Sequence, residues 1–244
     1  MQILNLACGE RASADPRVLN IDWSIYLRLR SNTFLRPLAP IVINGERYKK
    51  FAALPDNIKV WDLRRGIPCA DSSVDAVYHS HFMEHIDRNA VAGLLREVHR
   101  VLKPHGIQRI VVPDLEALAR AYVHHLDHCA QHSDDISMHD GYVSELYWWS
   151  VIREATGTGQ QRGLRRWVEN LLLGDARARG QTHQWMYDQY NTRALLESCG
   201  FGDCRVHRWN TSDIADWAAT GLDRNDAESE YKPGSLYMEA RKLP

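Results

Sequence analysis

The chain is poor in the features that most readily announce a function. It has five cysteines in 244 residues: Cys8, Cys69, Cys129, Cys199 and Cys204. The number is odd and no CxxC pair occurs, which argues against a disulfide framework and against a zinc knuckle. They read as reduced thiols of a cytoplasmic protein, packed as small hydrophobes. No apolar run reaches the ~18 residues of a membrane span, so no stable membrane insertion is expected. The first residues lack the charged segment, apolar stretch and small-residue site of a secretory signal. The formal net charge is −1, so no global field draws the chain to nucleic acid. No GxxxxGK[ST] loop is present, which excludes a P-loop. The first turn, in ILNLACGE at 3–10, holds a single glycine where a dinucleotide-binding loop carries more.

What is present is an alternation. Apolar runs at 3–6, 18–21, 59–63, 75–79 and 107–112 read as strands. Residues 24–36 read as a basic helix with Arg28, Arg30 and Arg36, broken by Pro37 and Pro40. Apolar positions 91, 94, 95, 98 and 102 fall at helical spacing, and Lys103-Pro104-His105-Gly106 stops that helix. Asp114 can cap a helix that turns Leu115, Leu118, Tyr122 and Leu126 inward. Strands alternating with helices predict a doubly wound, mostly parallel α/β sheet with helices on both faces. Near the end, Thr192 is placed to cap a helix that Gly200 closes. Two further strands, 204–209 and 235–241, read as an antiparallel pair at a sheet edge, for seven strands in all.

This divides the chain into a Rossmann-like core at 1–128, a helical insertion at 129–185 and the rest of the core sheet at 186–244. The insertion is aromatic, with Tyr142, Tyr147, Trp148, Trp149, Trp167 and Trp185. It is also rich in arginine: Arg153, Arg162, Arg165, Arg166, Arg177 and Arg179. It suits a lid with a platform for a sugar or other ring, or simply the core of a helical cap. The arginines suit a phosphate, or a solvated helix face.

In an open parallel sheet, ligands bind beyond the carboxyl ends of the strands. The candidates are therefore Ala7-Cys8-Gly9, Asp22, Asp62-Leu63, His79-Ser80-His81 and Pro113-Asp114. An acid after the second strand suits ribose hydroxyls, and an acid after the third suits an exocyclic amine. An adenosine satisfies both. One glycine then suffices, because no pyrophosphate has to approach the backbone.

In this order, LNLACGE, VLNIDWS, VWDLRRGIPCADSSVDAVYHSHFMEH and LLREVHRVLKPHGIQRIVVPDLEAL resemble the class I S-adenosylmethionine-dependent methyltransferases. The closest likeness is to small bacterial members of their type 11 branch. HQWMYD, the later GF and the terminal SLYMEARK extend it over nearly the whole chain, most weakly at 23–58 and 129–182. Two residues depart from the pattern: Ala7 stands at a preferred glycine, and His105 replaces the first glycine of a PGG turn. The resemblance implies S-adenosyl-L-methionine as cofactor. It brings Leu6, Ala7, Cys8 and Gly9 to the methionine part and Asp22 with Trp23 to the ribose. It brings Asp62 to the adenine amine, Leu63 to the ring, and Ser80 and His81 to the sulfonium and its methyl, with His79 also counted among the cofactor-binding residues. It suggests a small-molecule or saccharide acceptor methylated on oxygen.

An oxygen nucleophile calls for a base. The candidates are His81, His85 and Asp114. The plainer readings are a scaffold role for the Glu84-His85 pair and a helix cap for Asp114. His81 and His85 at i, i+4 with Glu84 suggest a metal and a hydrolase. No third ligand is visible at a convincing spacing, so no metal is expected. A catalytically weak binding protein is the other alternative, motivated by Ala7 and His105. HSHF stands where nucleic-acid methyltransferases carry N/D-PP-[FYW], which disfavours RNA and DNA. A second copy of the chain could pair through the insertion or along 235–241 as a homodimer.

Overall fold

The computed structural model describes residues 1–9, 11–32, 34, 56–131, 138–149 and 182–244. Arg36, Pro37, Pro40, Trp167 and the six arginines between 153 and 179 lie outside the described residues. The strands are β1 (Ile3–Leu6), β2 (Val18–Asp22), β3 (Ile58–Val60), β4 (Val74–Ser80), β5 (Leu102–Pro113), β6 (Phe201–His207) and β7 (Ser235–Lys242). They form one sheet in the order β3-β2-β1-β4-β5-β7-β6. β1 to β5 pair in parallel, and β7 runs antiparallel to both β5 and β6. The central strand β1 is buried along its whole length, as a strand covered on both faces must be. Leu6 pairs with Ile21 on one side and His79 on the other, so three carboxyl ends open side by side.

The described helices are α1 (Ile25–Ser31), α2 (Arg88–Val101), α3 (Leu115–Gln131), α4 (His139–Trp149) and α5 (Gln189–Ser198). α2 buries Val91, Leu95, Val98 and Val101 against Leu4, Val77 and Ile110 of the sheet, joined by Leu196 of α5. The other face carries Ile3, Ala76, Tyr78, Val111 and Tyr237. Among the described residues these meet Ile214, Trp217 and Leu222 of a long excursion at 208–234. No described helix joins β1 to β2. That link is held by side chains: Asn5 Nδ2 donates to Asn20 Oδ1 at 2.9 Å, and Asn20 Nδ2 donates to the Ser13 carbonyl at 2.9 Å. Ser13 Oγ then donates to the Thr220 carbonyl at 2.6 Å and ties the link to the excursion.

The excursion is anchored by a buried charge network. Arg109 of β5 has no exposed surface. Its Nε donates to Asp223 Oδ2 at 2.8 Å and its Nη1 to Glu239 Oε1 at 2.6 Å. Asp223 also accepts from Tyr78 Oη at 2.7 Å and Trp217 Nε1 at 2.8 Å.

Several sequence expectations change in detail. β3 ends at Val60 instead of continuing to 63, because Asp62 caps a 3-10 turn over Leu63–Arg65. Asp188, not Thr192, caps α5: its side chain accepts from the Tyr190 and Asn191 amides, and Thr192 is buried inside the helix. In α3, Leu126 is 41% exposed and His125 takes the inward place, stacked on Tyr142 of α4 at 4.1 Å. β7 lies between β5 and β6, so 235–241 has no free edge for a second copy; β6 is the edge strand. The turn at 103–106 is counted within β5, where pairing slips between Val74 and Ala76. His105 sits there at φ 63°, a left-handed conformation that costs a side chain ~1 kcal/mol or more. His105→Gly is expected to raise the unfolding free energy by about 1 kcal/mol in urea melts, with unchanged slope.

Candidate active site

The chain bends sharply after β1. Ala7 and Gly9 both take positive φ, 51° and 54°, and a Cβ built on Gly9 would meet nothing within 4 Å. Gly9 is therefore required by backbone conformation, not by crowding. Its amide donates to Asp22 Oδ2 at 2.8 Å, while the Ser24 amide donates to Asp22 Oδ1 at 2.6 Å. Asp22 thus ties the first turn to the end of β2 and to the start of α1, which Ser24 caps. Burial and the Asp22 charge push the Cys8 thiol up, so it is no nucleophile at neutral pH.

Asp62 is 9% exposed, and the Arg64 guanidinium grips both its oxygens, at 2.9 Å from Nε and 2.8 Å from Nη2. That contact holds its carboxyl below the usual range. Leu63 packs on the main core. Trp23 is partly exposed, with the Arg28 guanidinium 4.7 Å above its ring.

A cavity of about 220 Å³ opens between the ends of β1 and β4. Ala7, Cys8 and Gly9 line one side, and Ser80 and His81 the other. Three residues of its wall gave no local signal in the sequence: Arg11, Tyr231 and Lys232. The last two arrive from the excursion, over two hundred residues away. Arg11 stacks on Tyr231 at 4.0 Å and donates to the Arg224 carbonyl. Burial lowers the Lys232 ammonium, with Glu84 acting against it.

His79 is not part of this wall. The pleat of β4 turns Tyr78 and Ser80 to the cavity and His79 to the opposite face, where its ring is fully buried. Burial pushes it down to about 4. Asp114 is also elsewhere: its Oδ1 accepts from the Glu116 and Ala117 amides at 3.0 and 3.2 Å, the cap of α3.

His81 takes positive φ, 47°, just past β4. Its Nε2 lies 2.9 Å from Ser235 Oγ, and its Nδ1 lies 3.3 Å from Glu84 Oε1. Its ring is 5.9 Å from that of Trp149 at the end of α4. His85 Nδ1 lies 3.2 Å from the Thr182 carbonyl, and His183 packs edge-on against His85. Burial lowers the pKa of both His81 and His85. Burial alone would raise Glu84, but the two imidazoles outweigh it and hold the carboxyl below its usual range.

A parallel sheet of this order closed by an antiparallel β7, with a cavity at the ends of β1 and β4, defines the class I methyltransferase fold. A family model described as "Methyltransferase domain", of the type 11 branch, matches residues 44–110, from before β3 into β5. That match, over little more than a quarter of the chain, supports an S-adenosylmethionine-dependent methyltransferase, with S-adenosyl-L-methionine as the implied cofactor and a substrate that accepts the methyl group. No curated protein matches the sequence. Among solved structures the chain is similar to an S-adenosylmethionine-dependent methyltransferase from Methanosarcina mazei. Identity is 15% and TM-score 0.47, over 99% of this chain and 92% of that one. It is also similar to such an enzyme from Mesorhizobium loti, at 18% identity and TM-score 0.43, over 98% and 90%. A third similarity is to a putative methyltransferase from Haloferax volcanii in complex with the activator Trm112. There identity is 15% and TM-score 0.44, over 100% and 83%. No helix among the described residues is long and apolar enough to cross a membrane.

Proposed function

We propose that this enzyme methylates an oxygen of a small-molecule or saccharide acceptor in the cytoplasm, with His81 as the base. The observation that carries this reading is the position of His81. It lies on the wall of the cavity opposite the Gly9 turn, with Glu84 behind one ring nitrogen and a hydroxyl at the other. The Ser235 hydroxyl gives its own hydrogen to the Lys232 carbonyl at 2.8 Å, so an acceptor hydroxyl would have to take its place at Nε2 for proton removal. Ser235 Oγ marks where the acceptor hydroxyl would sit. In this reading the turn at Leu6, Ala7, Cys8 and Gly9 receives the methionine part, and Asp22 and Trp23 the ribose. Asp62 and Leu63 receive the adenine, and Ser80 and His81 border the methyl. Arg11 and Lys232 supply the positive charge that a carboxylate in the cavity requires. The aromatic side chains of α4, with Trp149 beside His81, support an acceptor region within residues 129–185. A ring seated there would be a sugar or other small cycle. The five free cysteines agree with a reducing compartment.

Calorimetric titration with S-adenosylmethionine and its demethylated product tests the cofactor half. Asp22→Ala and Asp62→Ala are each expected to weaken binding about tenfold or more, roughly 1.4 kcal/mol. Asp22→Ala should cost more, because it also frees the amides of Gly9 and Ser24. Unchanged affinity in both variants would remove these acids from the site.

A further inference from the structure

We infer that Glu84, His85 and His183 form a binding site for one divalent cation of the zinc class, beside the methyl-transfer cavity. The 3-10 turn after β4 supplies Glu84 and His85. The stretch leading into α5 returns His183 to them, a third ligand that no spacing in the sequence reveals. One ligand-type atom from each residue falls within 4.8 Å of the others. Glu84 Oε1 lies 3.8 Å from His85 Nε2, near the ~3.4 Å that separates two ligands bonded to one tetrahedral ion.

The protons point the same way. His85 Nδ1 lies 3.2 Å from the Thr182 carbonyl, and His183 Nδ1 lies 3.2 Å from the Trp149 carbonyl. A carbonyl only accepts, so each Nδ1 carries the hydrogen and each Nε2 keeps a lone pair. An imidazole that donates its far N–H to a backbone carbonyl is the usual support of a metal-bound histidine. Glu84 is 1% exposed, and among the described residues His81 Nδ1 at 3.3 Å and His85 Nε2 at 3.8 Å approach its Oε1 without a hydrogen bond of good geometry to either oxygen. A carboxylate buried without a well-formed hydrogen bond calls for a cation. Two imidazoles and a carboxylate leave a coordination position open, as in catalytic zinc sites.

The other clusters of ligand-type residues among those described are already engaged. Glu239 of the His207, Asp213 and Glu239 group takes Arg109 and Ser212. His125 is paired with Cys129 at 3.4 Å.

The site stands without the catalytic reading, but its role rests on it. A cation here lies close to His81, where it would lower the pKa of an oxygen acceptor and ease its deprotonation.

The test is metal analysis of the full chain, purified without chelators, then stripped and titrated with Zn²⁺ and with Co²⁺. About one equivalent per chain is expected, with visible absorption from Co²⁺ in a site of low coordination number. His183→Ala and Glu84→Gln are each expected to weaken binding at least about tenfold. Should Glu84→Gln not fold, the parent Co²⁺ spectrum and His183→Ala decide. A parent that binds neither ion overturns the proposal and leaves a proton as the shared cation. Cofactor titration of the same samples keeps the two readings apart. Metal without cofactor would count against the methyl-transfer site alone, and cofactor without metal against the cation site alone.

Discussion

Arg109→Ala is expected to lower the unfolding free energy by about 3–5 kcal/mol, the usual cost of removing one partner from a buried ion network. Among the described residues Arg109 is the largest fully buried side chain, and it faces two carboxylates, of which Glu239 also has His207 Nε2 at 3.4 Å. Its Nη1 also donates to the Thr211 carbonyl at 3.0 Å, and its guanidinium lies 5.0 Å from the Trp217 ring. The network therefore fastens the 208–234 excursion to β5 and β7, on a face where Ile214, Trp217 and Leu222 are the described cover. Removing the cation leaves Asp223 and Glu239 buried and facing each other's charge. Arg109→Met, which keeps the volume, should be almost as costly, because the charges dominate. Urea melts of both variants measure this. A loss under about 1 kcal/mol in each would show that the carboxylates find other partners or take up protons. The same variants should weaken cofactor binding although Arg109 touches no part of the cavity. The excursion is what brings Tyr231 and Lys232 to the cavity wall.

That dependence explains why the sequence shows the frame of this protein better than its site. Strand order follows from alternation, and β1, β2, β4 and β5 lie where their apolar runs place them. The carboxyl-end rule pointed to the Gly9 turn, Asp22, Ser80 and His81; the fold sets Gly9, Ser80 and His81 on one cavity wall, with Asp22 bonded to the Gly9 amide. The rule cannot tell which way a side chain points. It offered His79 equally with Ser80, yet the pleat sends them to opposite faces. It offered Asp114 as a base or a helix cap, and the amides of Glu116 and Ala117 take its Oδ1 as a cap. Contacts from far along the chain were invisible for a different reason. Lys232 has no local pattern, and HQWMYD and SLYMEARK do not show what His183 and Ser235 face; the return of β7 and of the stretch before α5 sets them beside His81 and Glu84. The first connection misleads in the same way. A β1–β2 link without a described helix gives no periodic signal, and its order rests on three polar side chains, Asn5, Ser13 and Asn20.

His81→Ala is expected to lower methyl transfer by about 10²–10⁴-fold while leaving cofactor affinity within a factor of a few. The split follows from what the ring touches. Nδ1 faces Glu84 and Nε2 faces Ser235, so the imidazole is placed for a proton and not for a cofactor contact that alanine would abolish. The parent's acceptor would be found first, by following labelled methyl groups from S-adenosylmethionine into a fractionated small-molecule extract that includes saccharides. The variant would then be assayed on that acceptor, with calorimetry on the same sample. His81→Gln separates orientation from chemistry. It can restore a hydrogen bond to Ser235 but takes no proton, so it should stay near the alanine rate. Ser235→Ala should change the rate far less than either, since a hydroxyl that only marks the acceptor's place is expendable in catalysis. Equal losses of rate and cofactor affinity in His81→Ala would make His81 a wall of the binding site. The proton would then leave by another route, with the cation at Glu84, His85 and His183 the first place to look, because a metal-polarised oxygen needs a weaker base.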